Sequence, residues 1–113
     1  MKTATDILQS IKLAEILPIE SADMRYAPFG DTHPWIWDGK FLEKGSIPAW
    51  SLSALMNALP KYPFREYNLV VTDGKPYVAF DDCNSSLHDD FFGEDFIDAC
   101  YNMIITLHKM GVL

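Results

Sequence analysis

The chain has 113 residues, of which 49% are hydrophobic and 22% are charged, a composition typical of one globular domain. Its net charge of −7 argues against direct binding to nucleic acid or to an anionic membrane surface, since both need a basic protein surface. No run reaches the roughly 18 to 20 consecutive apolar residues of a membrane span, and the first residues lack the apolar core of a secretory signal. We therefore expect a single globular domain, residues 1–113, in the cytoplasm.

The first predicted helix covers residues 5–17. Thr5 or Asp6 can cap its start, and Pro18 stops it. Its apolar residues approximate a helical stripe: Ile7, Leu8, Ile11, Ala14 and Ile16. Residues 19–30 have no regular pattern, so they are interpreted as an irregular connection.

Residues 33–44, HPWIWDGKFLEK, predict a β-hairpin around Asp38-Gly39, a dipeptide that suits a two-residue type I′ turn. Alternation puts Trp35 and Trp37 on one face and Ile36 on the other. Two interpretations remain open for the Trp pair. The rings form a stacking platform for a sugar or a peptide, or both pack on the core, as aromatic residues on strands usually do.

After a break at residues 45–48, Ser51 is positioned to cap a short helix that runs to about Leu59. A second hairpin follows, with strands at residues 67–72 and 76–80 joined by Asp73-Gly74-Lys75. Residues 87–91 are a candidate third strand, at the edge of the sheet because of their charges.

The clearest periodic signal lies at residues 93–111 and predicts the principal helix. Gly111 can end it in a left-handed conformation. Its apolar stripe consists of Phe96, Ile97, Cys100, Met103, Ile104, Leu107 and Met110. The expected fold class is therefore α+β: a small antiparallel sheet of two hairpins, with a candidate further edge strand, packed against a long C-terminal helix and shorter helices.

The charge excess is confined to one segment, since residues 81–98 contain no Lys or Arg. The segment contains seven acidic residues: Asp81, Asp82, Asp89, Asp90, Glu94, Asp95 and Asp98. Such a segment favours a protein partner with a basic surface. The candidate binding residues are Asp81, Asp82, Asp89 and Asp90, followed by the Trp35 and Trp37 pair.

The chain carries no motif that predicts a cofactor or a metal. Cys83 and Cys100 are too few for a disulfide framework and lack C-x-x-C spacing; Cys100 is expected to be a buried thiol. His88 with Asp89 and Asp90 matches no established metal-binding spacing.

A second line of inference is a resemblance at residues 46–113. The run IPAWSLSAL at residues 47–55, then Leu59-Pro60, the second hairpin, and Asp98-Ala99 and Leu107 before Gly111 resemble small uncharacterised proteins. These are encoded by phages, prophages and mobile elements of gut anaerobic bacteria. The group has no established activity, so the resemblance implies a mobile-element type of protein and transfers no site residue.

Together these features predict a non-enzymatic accessory protein that binds another protein. The alternatives are an inhibitor that mimics the charge of DNA, and, less favoured, a small metal-dependent hydrolase around His88. Both a monomer and a homodimer are compatible with the sequence.

Overall fold

The computed structural model describes residues 2–28, 33–38, 42–60, 65–83 and 86–113. The chain divides into two compact units, Met1–Ala58 and Leu59–Leu113. Each contains a three-stranded antiparallel sheet and at least one helix, so the α+β class is confirmed. The strands are distributed over two sheets rather than the one sheet expected, and the single-domain organisation stays a prediction. No helix in the described ranges is long and apolar enough to cross a membrane.

The first unit contains all the elements before residue 59. Its helices are α1 (Ile7–Ala14) and α2 (Leu52–Ala58), with a 3₁₀ turn at Ile19–Ser21. Its strands are β1 (Met24–Tyr26), β2 (Trp35–Ile36) and β3 (Ile47–Ala49), in the order β2-β1-β3. Helix α1 packs on β3. The buried hydrophobic residues of this unit are Ala4, Leu13, Leu17, Ala22, Tyr26, Trp37, Ala49, Trp50, Ala54 and Leu55.

A buried polar network connects the start of α1 to the sheet. The main-chain N–H of Thr5 donates to the Trp50 carbonyl (2.9 Å), and the Trp50 N–H donates back to Thr5 Oγ1 (3.1 Å). Tyr26 donates its hydroxyl to the Thr5 carbonyl (2.7 Å), and Ser10 Oγ lies 2.7 Å from Thr5 Oγ1. Because these groups are buried, their mutual bonds avoid the cost of desolvated, unpaired polar atoms.

The predicted cap of helix α1 is confirmed, but the prediction of its buried face is wrong. Asp6 and Gln9 form a capping box, with Asp6 Oδ1 accepting from the Gln9 N–H (2.8 Å). The buried residues are Ser10 and Leu13, whereas Leu8 of the predicted stripe is 81% exposed. The helix also ends at Ala14, short of Leu17. The helix is therefore rotated about its axis relative to the prediction. The polar network explains this difference, since it holds Ser10 in the interior.

The first predicted hairpin is wrong in its pairing. Strand β2 pairs with β1, with Arg25 opposite Trp35, and residues 42–44 are in no strand. Gly39, the second residue of the predicted turn, lies outside the described residues. The segments interpreted as an irregular connection and as a break instead supply β1 and β3, which pair with each other.

The second unit is a hairpin sheet covered by a helix. Its strands are β4 (Arg65–Thr72), β5 (Lys75–Asp82) and β6 (Leu87–Phe92), in the order β4-β5-β6. The predicted second hairpin and the edge strand are confirmed, except that Lys75, predicted in the connection, is the first residue of β5. Asp73 and Gly74 have φ values of 52° and 73°, the conformation of a type I′ turn.

Helix α3 (Phe96–Lys109) packs on β5 and β6 and is the predicted principal helix. Asp95 caps it by accepting from the Asp98 N–H (2.8 Å). At its other end, the Gly111 N–H bonds to the His108 carbonyl and the Val112 N–H to the Leu107 carbonyl, which is a Schellman motif. Its buried residues are Ile97, Ala99, Cys100, Met103, Ile104 and Leu107.

Candidate binding site

The candidate site lies on the second sheet, on the face away from the buried residues. Residues directly opposite in antiparallel strands share a face, and alternate residues along a strand occupy opposite faces. The inner face holds the buried Val78, Phe80 and Phe91. We call the opposite surface the outer face; it consists of Glu66, Asn68, Val70, Thr72, Lys75, Tyr77, Ala79, Asp81, His88, Asp90 and Phe92.

One end of the outer face is acidic. Glu66, Asp81 and His88 lie side by side in one row across the three strands. Asp90 lies in the next row, with its Oδ1 atom 4.0 Å from His88 Nε2. Asp81 and Asp90 therefore lie next to His88, and Glu66 lies beyond Asp81 in the same row. This arrangement can attract cationic side chains from a partner.

The other end of the outer face is aromatic. The ring centroids of Tyr77 and Phe92 are 4.9 Å apart, with a tilt of 33° between the rings. Phe92 is 52% exposed, and Val70 completes the same row on β4. A large exposed aromatic side chain next to carboxylates is typical of interaction surfaces, where aromatic residues are enriched.

The structure does not bring the four predicted acidic residues together. Asp81 and Asp90 lie on the outer face, whereas the register assigns Asp82 and Asp89 to the inner face. Asp82 also forms an ion pair with Arg65, at 3.4 Å from Nε to Oδ2. Strand alternation therefore separates the four residues into two pairs, and only Asp81 and Asp90 lie on the outer face.

The two predicted Trp residues are also unequally accessible. Trp35 is 59% exposed, but Trp37 is 8% exposed and belongs to the core of the first unit. The main-chain N–H of Trp37 donates to the Asp23 carbonyl (3.0 Å), and this bond connects the Trp37 backbone to the residue before β1. Of the pair, only Trp35 presents a ring to solvent.

The chain has two candidate thiol nucleophiles, Cys83 and Cys100. Cys83 follows β5 and is exposed; desolvation raises the pKa of its thiol, and the charges of Asp81, Glu66 and Asp82 raise it further. Burial raises the pKa of the Cys100 thiol to about 12. Both shifts lower the thiolate fraction and hence nucleophilicity, since the thiolate is the reactive form.

Within the described ranges, no three or more His, Cys, Asp or Glu residues are arranged to hold a metal ion. A separate shallow hollow of about 340 Å³ lies in the first unit, lined by Asp6, Ile7, Leu8 and Tyr26. Asp6 caps α1 there, and burial, followed by the charge of Asp6, raises the pKa of the Tyr26 hydroxyl. The hollow is therefore an apolar surface without a convergent set of polar groups.

Comparisons with protein-family profiles, with curated proteins and with solved structures found no match to this chain. The outer face contains residues that the sequence interpretation left out of the site, above all Glu66, Tyr77 and Phe92. The type I′ turn would have located Glu66, because a two-residue turn sets Glu66 opposite Asp81. Tyr77 alternates with the apolar Val78, which is the signal that Tyr77 faces outward, whereas the adjacent Phe91 and Phe92 give no such signal in the sequence.

Proposed function

We propose that this chain is a non-enzymatic accessory protein that acts by binding a protein partner with a basic surface. The observation that supports the proposal best is the outer face, where Asp90 lies in the row next to Tyr77 and Phe92 and Asp81 lies one row further along. A Lys or Arg side chain can pair its charge with these carboxylates while its stem or guanidinium lies on an aromatic ring. The surface therefore suits a basic segment that also offers apolar contact.

The resemblance of residues 46–113 to phage, prophage and mobile-element proteins adds a biological setting to the proposal. We assign the chain to accessory factors of the mobile-element type, and the partner to the proteins of its host. Electrostatic attraction would speed the encounter and make it sensitive to salt.

Two other functions have weaker support. A DNA mimic must approach the charge density of a duplex, about one charge per 1.7 Å. The acidic residues here are divided between two faces, and Asp82 and Asp95 are engaged in an ion pair and a helix cap. A hydrolase centred on His88 would have Asp90 as a partner at 4.0 Å, which is long for orienting a catalytic base.

The test compares two variants that remove the same charge from different places. Asp81→Asn with Asp90→Asn removes two negative charges from the outer face, and Asp89→Asn with Glu94→Gln removes two negative charges from exposed residues elsewhere. Each protein is immobilised, host lysate is passed over it at low and at moderate salt, and captured proteins are identified by mass spectrometry. A third variant, Phe92→Ala, removes the exposed ring without changing the charge.

We expect a basic partner that wild type and the Asp89/Glu94 variant both capture, that the Asp81/Asp90 variant loses, and that Phe92→Ala weakens. Salt should reduce its capture. Equal loss in both charge variants would indicate attraction to net charge alone and would contradict a defined outer-face site. Recovery of the same proteins by all four versions would contradict the proposal altogether.

A further inference from the structure

The free edge of the second sheet is the feature that carries a further inference. In the described part of the chain, β5 is the only strand that pairs with β4, so the other edge of β4 is open. This strand is eight residues long. A long open edge presents a row of main-chain donors and acceptors, which can pair with another strand.

The register determines which residues face the open edge. Thr72 and Lys75 flank the two-residue turn, so they form a hydrogen-bonded pair, and such pairs recur at every second residue toward Glu66. The residues between them direct their N–H and C=O groups away from β5. Those residues are Arg65, Tyr67, Leu69 and Val71.

The two edges of this sheet differ in their protection. Strand β6 carries His88, Asp89 and Asp90, and charged side chains on an edge oppose pairing with further strands. Strand β4 has no charged residue from position 67 to 72. It also leaves Leu69 41% exposed and Val71 58% exposed on the inner face, at the same edge.

We propose that a second copy of this chain pairs with this edge, β4 against β4, antiparallel and centred on Leu69. The two-fold register sets Leu69 opposite Leu69 of the second copy and Tyr67 opposite Val71 of the second copy. These are the residues whose main-chain groups point outward, so each pair exchanges two hydrogen bonds. The two sheets become one sheet of six strands.

Side-chain chemistry favours a second copy over an unrelated strand. The exposed Leu69 side chain would contact Leu69 of the second copy, and the exposed Val71 side chain would contact Tyr67 of the second copy. On the outer face, Glu66 lies beside Asp81, a like-charge pair that is unfavourable across strands. In the two-fold register Glu66 lies opposite Thr72 of the second copy, and Thr72 lies beside Lys75 on the next strand of that copy. The exposed Lys75 ammonium group therefore lies in the same row as the Glu66 and Asp81 carboxylates.

Cross-linking tests the register directly, in the full chain with Cys83 replaced by Ser so that the exposed native thiol does not react. Leu69→Cys brings two thiols to directly opposite positions, with Cα atoms about 5.5 Å apart, inside the range for a disulfide. Val71→Cys is the matched control. Its two copies are offset by four residues, about 13 Å along the strands, and cannot be bridged.

Under mild oxidation we expect Leu69→Cys to form a disulfide dimer about tenfold or more faster than Val71→Cys, since pairing raises the effective thiol concentration. In sedimentation experiments, wild type and Leu8→Lys should associate with increasing concentration, whereas Leu69→Lys should stay monomeric. A monomeric wild type at all concentrations would overturn the proposal. Equal cross-linking of the two Cys variants, or faster cross-linking of Val71→Cys, would overturn it too.

Discussion

Single residues in this protein hold together segments that are far apart in the sequence. Thr5 connects to Trp50 in both directions through its N–H and its hydroxyl. Trp50 is fully buried and donates its indole N–H to Ser21 Oγ (2.9 Å). Each contact satisfies a polar atom that has left water, and an unpaired atom there would cost about 1 to 3 kcal/mol. The first unit is thus organised by a few polar side chains as well as by its apolar core.

The buried thiol of Cys100 makes the free energy of unfolding of the second unit depend on pH. Burial raises the pKa of its thiol from 9.0 to about 12, so the unfolded chain loses this proton first as the pH rises. Ionisation above pH 9 therefore favours the unfolded state, and the free energy of unfolding falls between pH 9 and 12, by at most about 1.4 kcal/mol per pH unit. Below pH 9 the contribution of the neutral thiol is fully present.

Urea unfolding of wild type and Cys100→Ala between pH 8 and 10 measures this effect. Tyr26 and Tyr67 also have a raised pKa because of burial, but they occur in both proteins and cancel in the difference. We expect the stability advantage of wild type over Cys100→Ala to shrink as the pH rises. Parallel pH profiles for the two proteins would show that the thiol does not titrate differently on unfolding.

At the scale of elements, the junction between β6 and α3 leaves no room for a side chain. A Cβ atom on Gly93 would lie within 2.6 Å of the Asp98 Cβ and would collide with the Ala99 backbone nitrogen. Gly93→Ala therefore requires the helix start to move, and such overpacking costs about 1 to 3 kcal/mol. Denaturant titration should show this loss, whereas the neighbouring Glu94→Ala, at an exposed site, should change stability by less than about 0.5 kcal/mol. Equal effects of the two substitutions would contradict a steric origin.

Elements with a strong local signal were predictable from the sequence. Asp73-Gly74 specified both the β4-β5 hairpin and its register, because a type I′ turn needs two residues with positive φ. The period of α3 was correct because its apolar positions extend over four turns. Strands β1 and β3 were missed because each has three residues, too few for alternation to appear. Pro48 also favoured a break, but β3 is an edge strand, where proline is tolerated.

The candidate site was predictable only in part, for a related reason. Alternation along one strand already separates Asp81 from Asp82 and Asp89 from Asp90. On β5 the apolar Val78 and Phe80 assign Asp82 to the inner face and Asp81 to the outer face, but on β6 the adjacent Phe91 and Phe92 leave the faces of Asp89 and Asp90 undetermined. The register of β6 decided which of these acidic residues shares the outer face with Tyr77 and Phe92.

At the scale of the whole molecule, the open question is whether the two units unfold together. Each spans fewer than 60 residues, a size at which an isolated domain is only marginally stable. The length of the chain therefore predicts one cooperative domain. The sequence supplies a selective probe of this prediction, because Trp35, Trp37 and Trp50 all lie in the first unit and the second unit has no tryptophan.

Ile104→Ala leaves a cavity in the core of the second unit and should lower its free energy of unfolding by about 2 to 5 kcal/mol. If the chain is one cooperative domain, we expect the urea midpoint seen by tryptophan fluorescence to fall with this variant and to coincide with the midpoint seen by circular dichroism. Leu13→Ala, in the core of the first unit, should lower the fluorescence midpoint in either case and so verifies the probe. An unchanged fluorescence midpoint in Ile104→Ala would mean that the first unit unfolds without the second. The chain would then be two small domains, and the second sheet with its outer face would have to be stable without the first unit.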